Sequence, residues 1–253
     1  MKILLDGRQI EARKGESIAV AARRAGVVIP TLCHHEALKG CGNCRVCVVE
    51  VRKPETTEFK VVTACVFPVG EDLEVRTDGP AAVAQRAESI SGLLGLAPDA
   101  EAIVALGRTY GVRPPSPTPP PEAGALPGCV QCGICTRICQ GLVTKALFPS
   151  MKGDGAPAGT PCCKVPEACI GCLSCARSCP TGAIKYQDDG KTRTIWGRTF
   201  QVAPCTTCGA STGLTREQAA WVAKRKGVIE ADLLVCVRCK LARTGKTFSD
   251  IQF

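Results

Sequence analysis

Two stretches of this chain place four cysteines at one spacing, C-x2-C-x2-C-x3-C. They are Cys129, Cys132, Cys135 and Cys139, then Cys169, Cys172, Cys175 and Cys179, the last followed by Pro180. A [4Fe–4S] cube needs thiolates converging on its four corners, and three closely spaced cysteines can wrap a tight loop around it. The fourth cysteine, at the start of the helix that follows, reaches the other cube. The expected ligand sets are therefore Cys129, Cys132, Cys135 with Cys179, and Cys169, Cys172, Cys175 with Cys139. Two zinc sites are the plain alternative, but zinc motifs come as separated C-x2-C pairs rather than runs of four.

The rest of the composition agrees with a chain organised around metal. There are 19 cysteines in 253 residues while aromatics make up only 4%, so small metal-built modules are expected in place of one large apolar core. Disulfides would require an oxidising compartment. The opening residues MKILLDGRQIEARKGES hold no apolar signal-peptide core, and no stretch approaches the ~20 apolar residues of a membrane span. A cytoplasmic protein whose thiols hold metals is the expectation. The formal charge of +9 counts every cysteine as neutral. Three clusters and a four-thiolate metal site, at roughly −2 apiece, bring the loaded protein to about +1. No dense Lys/Arg block is present, so a nucleic-acid partner is not expected.

Read along the chain, the pattern is α+β and multidomain. Residues 1–78 show short apolar runs at Lys2–Leu5 and Gln9–Ala12 around an Asp6-Gly7 turn, which predicts a hairpin. Helical spacing follows over Glu16–Ala25, stopped by Gly26. Strands are expected at Val46–Val51, Phe59–Val62 and Leu73–Arg76. Residues 79–127 hold two Ala/Leu-rich helical stretches broken at Pro98, then the proline-rich VRPPSPTPPPEAGALPG, read as a stiff spacer rather than an SH3-type ligand. Residues 128–190 carry the two cluster motifs as a diverged repeat. Residues 191–253 open with a hairpin, TRTIWGRTFQV, and hold two more C-x2-C pairs around a helical TREQAAWVAKRKG.

Cys33, Cys44, Cys47 and Cys65 form the next constellation, with ten residues between the first two and two between the second and third. Plant-type [2Fe–2S] sites use C-x4-C-x2-C with a distant fourth cysteine. The first loop here is longer, but the logic is the same: a loop wraps the cluster and a last ligand arrives from a neighbouring strand. At CHH…GNCRVCVVEV the chain resembles the N-terminal [2Fe–2S] domain of the large iron–sulfur subunit of respiratory complex I, the small diaphorase subunit of NAD-linked hydrogenases, and the N-terminal region of [FeFe] hydrogenases. CVQCGICTRICQ and CIGCLSCARSCPTGAI resemble the two-cluster segment of the same families. The resemblance covers residues 1–78 and 128–190 and implies a β-grasp [2Fe–2S] ferredoxin-like domain followed by a two-cluster bacterial-ferredoxin domain.

The departures matter as much. Those families commonly carry a further [4Fe–4S] site with three cysteines and one histidine between the two segments. Residues 66–128 contain neither residue type, so that cluster is absent. Its loss means either a shorter path or a movable domain. Cys41 is an extra cysteine in the loop, read as a non-ligand, although Cys41-Gly-Asn-Cys44 is itself C-x2-C. His34 and His35 could serve a Rieske-like site, but with four cysteines nearby they are read as loop residues.

Cys205, Cys208, Cys236 and Cys239 form two knuckles 27 residues apart, a zinc-ribbon-like signature. Zinc is favoured, and a further iron–sulfur cluster competes because the same ligand set suits both. Cys162 and Cys163 are read as plain loop thiols.

Nothing catalytic accompanies these sites. There is no G-x-G-x-x-G after a strand, no phosphate loop, no triad around the two histidines, and no flavin signature. The expectation is a non-catalytic electron-transfer subunit of a cytosolic, multi-subunit, NAD(P)H-linked oxidoreductase. The resemblance implies an FMN/NAD(P)H-binding flavoprotein on one side and a hydrogenase, a formate dehydrogenase or ferredoxin on the other. The alternative is a free-standing multi-cluster ferredoxin, disfavoured by the added terminal modules. A regulatory protein with a nucleic-acid-binding ribbon is disfavoured by the near-neutral loaded charge.

Overall fold

The structure is a computed structural model and describes residues 1–116, 126–149 and 167–249. The N-terminal hairpin forms as expected, from β1 (Lys2–Leu5) and β2 (Arg8–Glu11). Asp6 and Gly7 both take positive φ, the requirement of the two-residue turn whose twist suits adjoining strands. Alternation in β1 sends Ile3 and Leu5 inward. α1 (Ile18–Arg24) buries Ile18, Ala21 and Ala22 on one face, and Gly26 follows it with φ 80°. β3 (Val48–Arg52), β4 (Lys60–Thr63) and β5 (Glu74–Arg76) complete a five-stranded sheet in the order β2-β1-β5-β3-β4. β1 and β5 run parallel and the other pairs antiparallel. Ile3, Leu5, Ile18, Val49 and Val75 meet in its core.

The Ala/Leu-rich stretch forms α2 (Pro80–Leu96) and α3 (Glu101–Thr109). They do not act as a spacer. Arg86 on α2 is 3% exposed and donates to the carbonyls of Val46, Val48 and Thr77 at 3.1, 2.7 and 2.8 Å. Stranding such buried carbonyls costs about 1–3 kcal/mol each. Glu50, in β3, turns its buried carboxylate to the start of α2 and accepts from the Ala81 and Ala82 amides at 2.7 and 3.3 Å. It thereby satisfies donors that the side-chain-less Gly79 N-cap cannot. A Cβ at Gly79 would lie 2.2 Å from that carboxyl carbon.

Beyond residue 126 come α4 (Ile134–Leu142) and α5 (Ser174–Arg177), one after each three-cysteine loop. Then β6 (Tyr186–Asp188), β7 (Thr192–Ile195), β8 (Arg198–Pro204) and β9 (Ser211–Thr215) form an antiparallel sheet in chain order. Trp196 and Gly197, both at positive φ, make the β7–β8 turn as Asp6 and Gly7 make the first. The expected boundary at 190/191 therefore falls between two paired strands, β6 and β7. The sheet belongs to both sides of it.

α6 (Arg216–Lys226) begins at Thr215, whose hydroxyl accepts from the Gln218 amide, and ends at Gly227 in the left-handed conformation. α7 (Glu230–Leu233) and α8 (Val237–Ser249) follow. Among the described residues, no helix is long and apolar enough to cross a membrane.

Candidate metal centres

The three-cysteine loops are built by alternating backbone handedness. In the first, Gln131 (φ 53°) and Gly133 (φ 70°) take the left-handed conformation; in the second, Gly171 (φ 64°) and Leu173 (φ 62°) do. The positions are equivalent across the repeat, but the glycine occupies opposite ones. Two left-handed residues separated by one curl the chain back on itself and leave the cysteines lining a single concave wall.

α4 links the halves. Cys135 and Cys139, one turn apart, share a cluster with Leu173, Ile184 and Phe200, while Ile138 belongs to the core that also takes in residues of α2 and α3. One small, largely apolar cavity is lined by Cys139, Cys169, Cys172 and Cys175, with Ile138, Val143, Leu147 and Trp196 around them. A second is lined by Cys129, Cys132, Cys135 and Cys179, with Leu126 and Ile184. Each thus draws three thiols from one motif and the fourth from the other. Thiol donors around a largely apolar space are the donor set of a cubic cluster, so these residues fit the group expected of them.

Burial pushes the Cys132 and Cys175 thiols up to about 11 and Cys135 to about 12. Without metal these are neutral thiols; metal binding replaces their protons. Polar groups meet the sulfurs at the margins. The Leu147 amide donates to Cys139 Sγ at 3.2 Å, and Thr181 Oγ1 stands 3.5 Å from Cys179 Sγ.

The N-terminal constellation gathers in the long loop after α1 and the turn after β4. Cys44 and Cys65 both contact Cys33, and Cys47 contacts Cys65. All four are buried. Arg45 between Cys44 and Cys47 has φ 52°, the left-handed kink seen in the other loops. Gly40 passes so close that a Cβ would lie 2.0 Å from the Cys65 carbonyl oxygen. Cys41 joins the group: its Sγ is 3.6 Å from Cys33 Sγ and 4.0 Å from the Cys132 carbonyl oxygen. His34 Nδ1 is buried without a hydrogen-bond partner, and His35 Nδ1 accepts from the Ala37 amide at 3.2 Å.

At the C-terminal knuckles, the Sγ atoms of Cys205, Cys208, Cys236 and Cys239 all lie within 4.8 Å of one another. The Cys236 amide donates to Cys205 Sγ at 3.3 Å and the Thr207 amide at 3.4 Å. These donors, Cys236 first, hold the Cys205 thiol down at about 5. Cys162 and Cys163 lie outside the described residues.

Several arginines that the motifs do not announce hold these loops in place. Arg137 on α4 donates to the Cys33 carbonyl at 2.6 Å and the Lys39 carbonyl at 2.9 Å, tying the first cube loop to the N-terminal one. Arg193, 2% exposed and paired with Asp188, donates to Gly171 at 2.9 Å. Arg198 reaches the carbonyls of Glu167 and Cys169, and Thr215 donates to Ile170 at 2.6 Å. No sequence period marks them, because each acts on a loop far away in the chain.

Comparison with known proteins decides the nature of two parts. Residues 1–80 match the 2Fe-2S iron-sulfur cluster binding domain. They form a domain of that kind. Residues 163–185 match the 4Fe-4S binding domain. Over 80 residues the chain is 38% identical to the NADH-ubiquinone oxidoreductase 75 kDa subunit of Reclinomonas americana, and 40% identical to an NADH-quinone oxidoreductase subunit of Rickettsia bellii. Each match covers 32% of this chain but 11% of the relative, so the shared part is the N-terminal domain and a small fraction of those proteins. The fold is also similar to that of a chain in the crystal structure of an NAD+-reducing [NiFe]-hydrogenase in the H2-reduced state. There the TM-score is 0.54 at 20% identity, covering 90% of this chain and 99% of that one.

Proposed function

We propose that this chain is an electron-transfer subunit of a cytoplasmic NAD(P)H-linked oxidoreductase, passing single electrons between a flavoprotein and a catalytic subunit of hydrogenase or formate dehydrogenase type, or ferredoxin. The observation that carries the reading is the crosswise lining of the two cavities, three cysteines from one motif and one from the other. That arrangement is of use to a pair of adjacent clusters and to little else.

The expected complement is one [2Fe–2S] cluster on Cys33, Cys44, Cys47 and Cys65 and one [4Fe–4S] cluster on each cube quartet, with a further metal at the C-terminal quartet. When bound, the clusters supply one-electron storage. The chain's residues supply the rest: thiols that converge, apolar walls that keep water away, and arginines that fix the loops. The similar proteins are named as NADH–quinone oxidoreductases and an NAD+-reducing hydrogenase, which supports the choice of partners. Each cluster would take one electron at a time, so in this reading the two-electron step belongs to a partner.

The test is anaerobic affinity purification from the native host, with iron analysis and mass spectrometry of what co-elutes. About ten iron atoms per chain, together with an FMN-binding flavoprotein and a hydrogenase or dehydrogenase subunit, is the expected result. A fully loaded chain eluting alone would favour a free carrier instead.

A further inference from the structure

The C-terminal quartet differs in kind from the other cysteine sites. Among the described residues, Cys205, Cys208, Cys236 and Cys239 are the one group of three or more ligand-type side chains whose donor atoms all close to within 4.8 Å. The eight cysteines of the two C-x2-C-x2-C-x3-C motifs form no such close group and line two small cavities instead. Cys208 Sγ and Cys236 Sγ stand 3.7 Å apart. Four sulfurs bound to one ion at about 2.3 Å form a tetrahedron with edges of about 3.8 Å. A cube interposes four iron atoms and must hold its thiolates further apart.

The surroundings say what such an ion would do. α7 buries no residue, and in α8 Val237 and Leu241 are 71% and 67% exposed. The Thr206 amide donates to the Leu234 carbonyl at 2.9 Å, and among the described side chains of this segment Val235 is the buried apolar one. A small module without a core needs a staple.

We propose that the quartet holds a single tetrahedral zinc ion that pins the α7–α8 segment to the β8–β9 connection and carries no electrons. Four thiolates close the coordination sphere, as in structural sites. Thiolate sites prefer zinc to ferrous iron, and Cys208 is exposed, where a redox-active ion would be open to oxidants. The electron path proposed above then ends at the cubes. This inference rests on that reading only for what the ion is contrasted with.

The experiment is zinc, iron and acid-labile sulfide analysis of the full chain, purified anaerobically, beside the double variant Cys208→Ser/Cys239→Ser. Limited proteolysis and electron paramagnetic resonance of the reduced protein accompany it. The expected result is about one zinc per chain, absent from the variant. Iron, sulfide and cluster signals should stay unchanged while new cleavage appears within residues 228–249.

Loss of iron together with sulfide in the variant would make the site a cluster. Loss of one iron without sulfide would make it a redox-active single ion. Either outcome overturns the proposal. Should the variant fail to fold, zinc-edge X-ray absorption of the wild-type chain decides. Four sulfur neighbours at about 2.3 Å support it, and nitrogen or oxygen neighbours, or no zinc, overturn it. Failure of the electron-transfer reading would appear separately, as missing iron.

Discussion

Cys41 and Cys44 show how much a single sulfur's position decides. Both belong to the same C-x2-C pair and both approach Cys33, but Cys44 is buried with Cys47 and Cys65 whereas Cys41 is half-buried, facing the Cys132 carbonyl. Cys44→Ser is expected to abolish the [2Fe–2S] signal, and Cys41→Ser to leave its intensity unchanged, as read by electron paramagnetic resonance and iron content. A lost signal in Cys41→Ser with a retained one in Cys44→Ser would exchange their roles. The sequence favours Cys44 as the ligand, although Cys41-Gly-Asn-Cys44 is itself C-x2-C. What separates them is burial, which no spacing rule encodes.

The three-cysteine loop is the element on which most depends. In the second loop, Gly171 needs φ 64°, and a Cβ there would meet the Phe200 ring at 2.7 Å. Gly171→Ala is therefore expected to lower iron content by about four atoms per chain, because the loop can neither keep its handedness nor clear the ring. Gly128→Ala is the control. Its φ of 73° is equally left-handed, but nothing lies within 4 Å of the added carbon, so it should cost roughly 1–2 kcal/mol of strain and no iron. Equal losses in both would show that handedness alone, and not the ring, sets the loop.

Elements of this kind were legible to different degrees. The Asp6-Gly7 hairpin, the α1 stop at Gly26 and the α6 helix follow from turn chemistry and periodicity. β6 and β9 do not. Tyr186–Asp188 is exposed throughout, and Ser211–Thr215 contains a glycine and a single large apolar residue, Leu214, so both exist because β7 and β8 give them an edge to pair with. The two C-x2-C-x2-C-x3-C motifs were readable because their spacing is written into adjacent residues. Arg137, Arg193 and Thr215 were not, because the loop carbonyls of Cys33, Gly171 and Ile170 to which they donate lie 22 to 104 residues away.

At the scale of the molecule, the question is whether the modules move. Leu32, Cys33, Cys44 and Val46 of the N-terminal loop share one core with Ile90, Leu94 and Ile103 of α2 and α3 and with Val130, Cys132 and Ile138. Arg137 adds hydrogen bonds across the same seam. A shared core of this kind argues for the shorter path over the movable domain, although most of the proline-rich segment lies outside the described residues. Inserting eight to ten Gly/Ser residues near position 120 is expected to leave metal content and the rate of intramolecular electron transfer unchanged by flash photolysis, since the shared core holds the sites together. A rate that falls with insertion length would mean that the segment itself sets the approach.

The Arg137 bond to the Cys33 carbonyl also bears on how the protein is made. A ribosome releases residues 1–80 long before α4, so the [2Fe–2S] loop first emerges with its Cys33 and Lys39 carbonyls unsupported and the face it will share with α2 still wet. The cradle around Cys33 is furnished only once α4, some hundred residues further along, has been made.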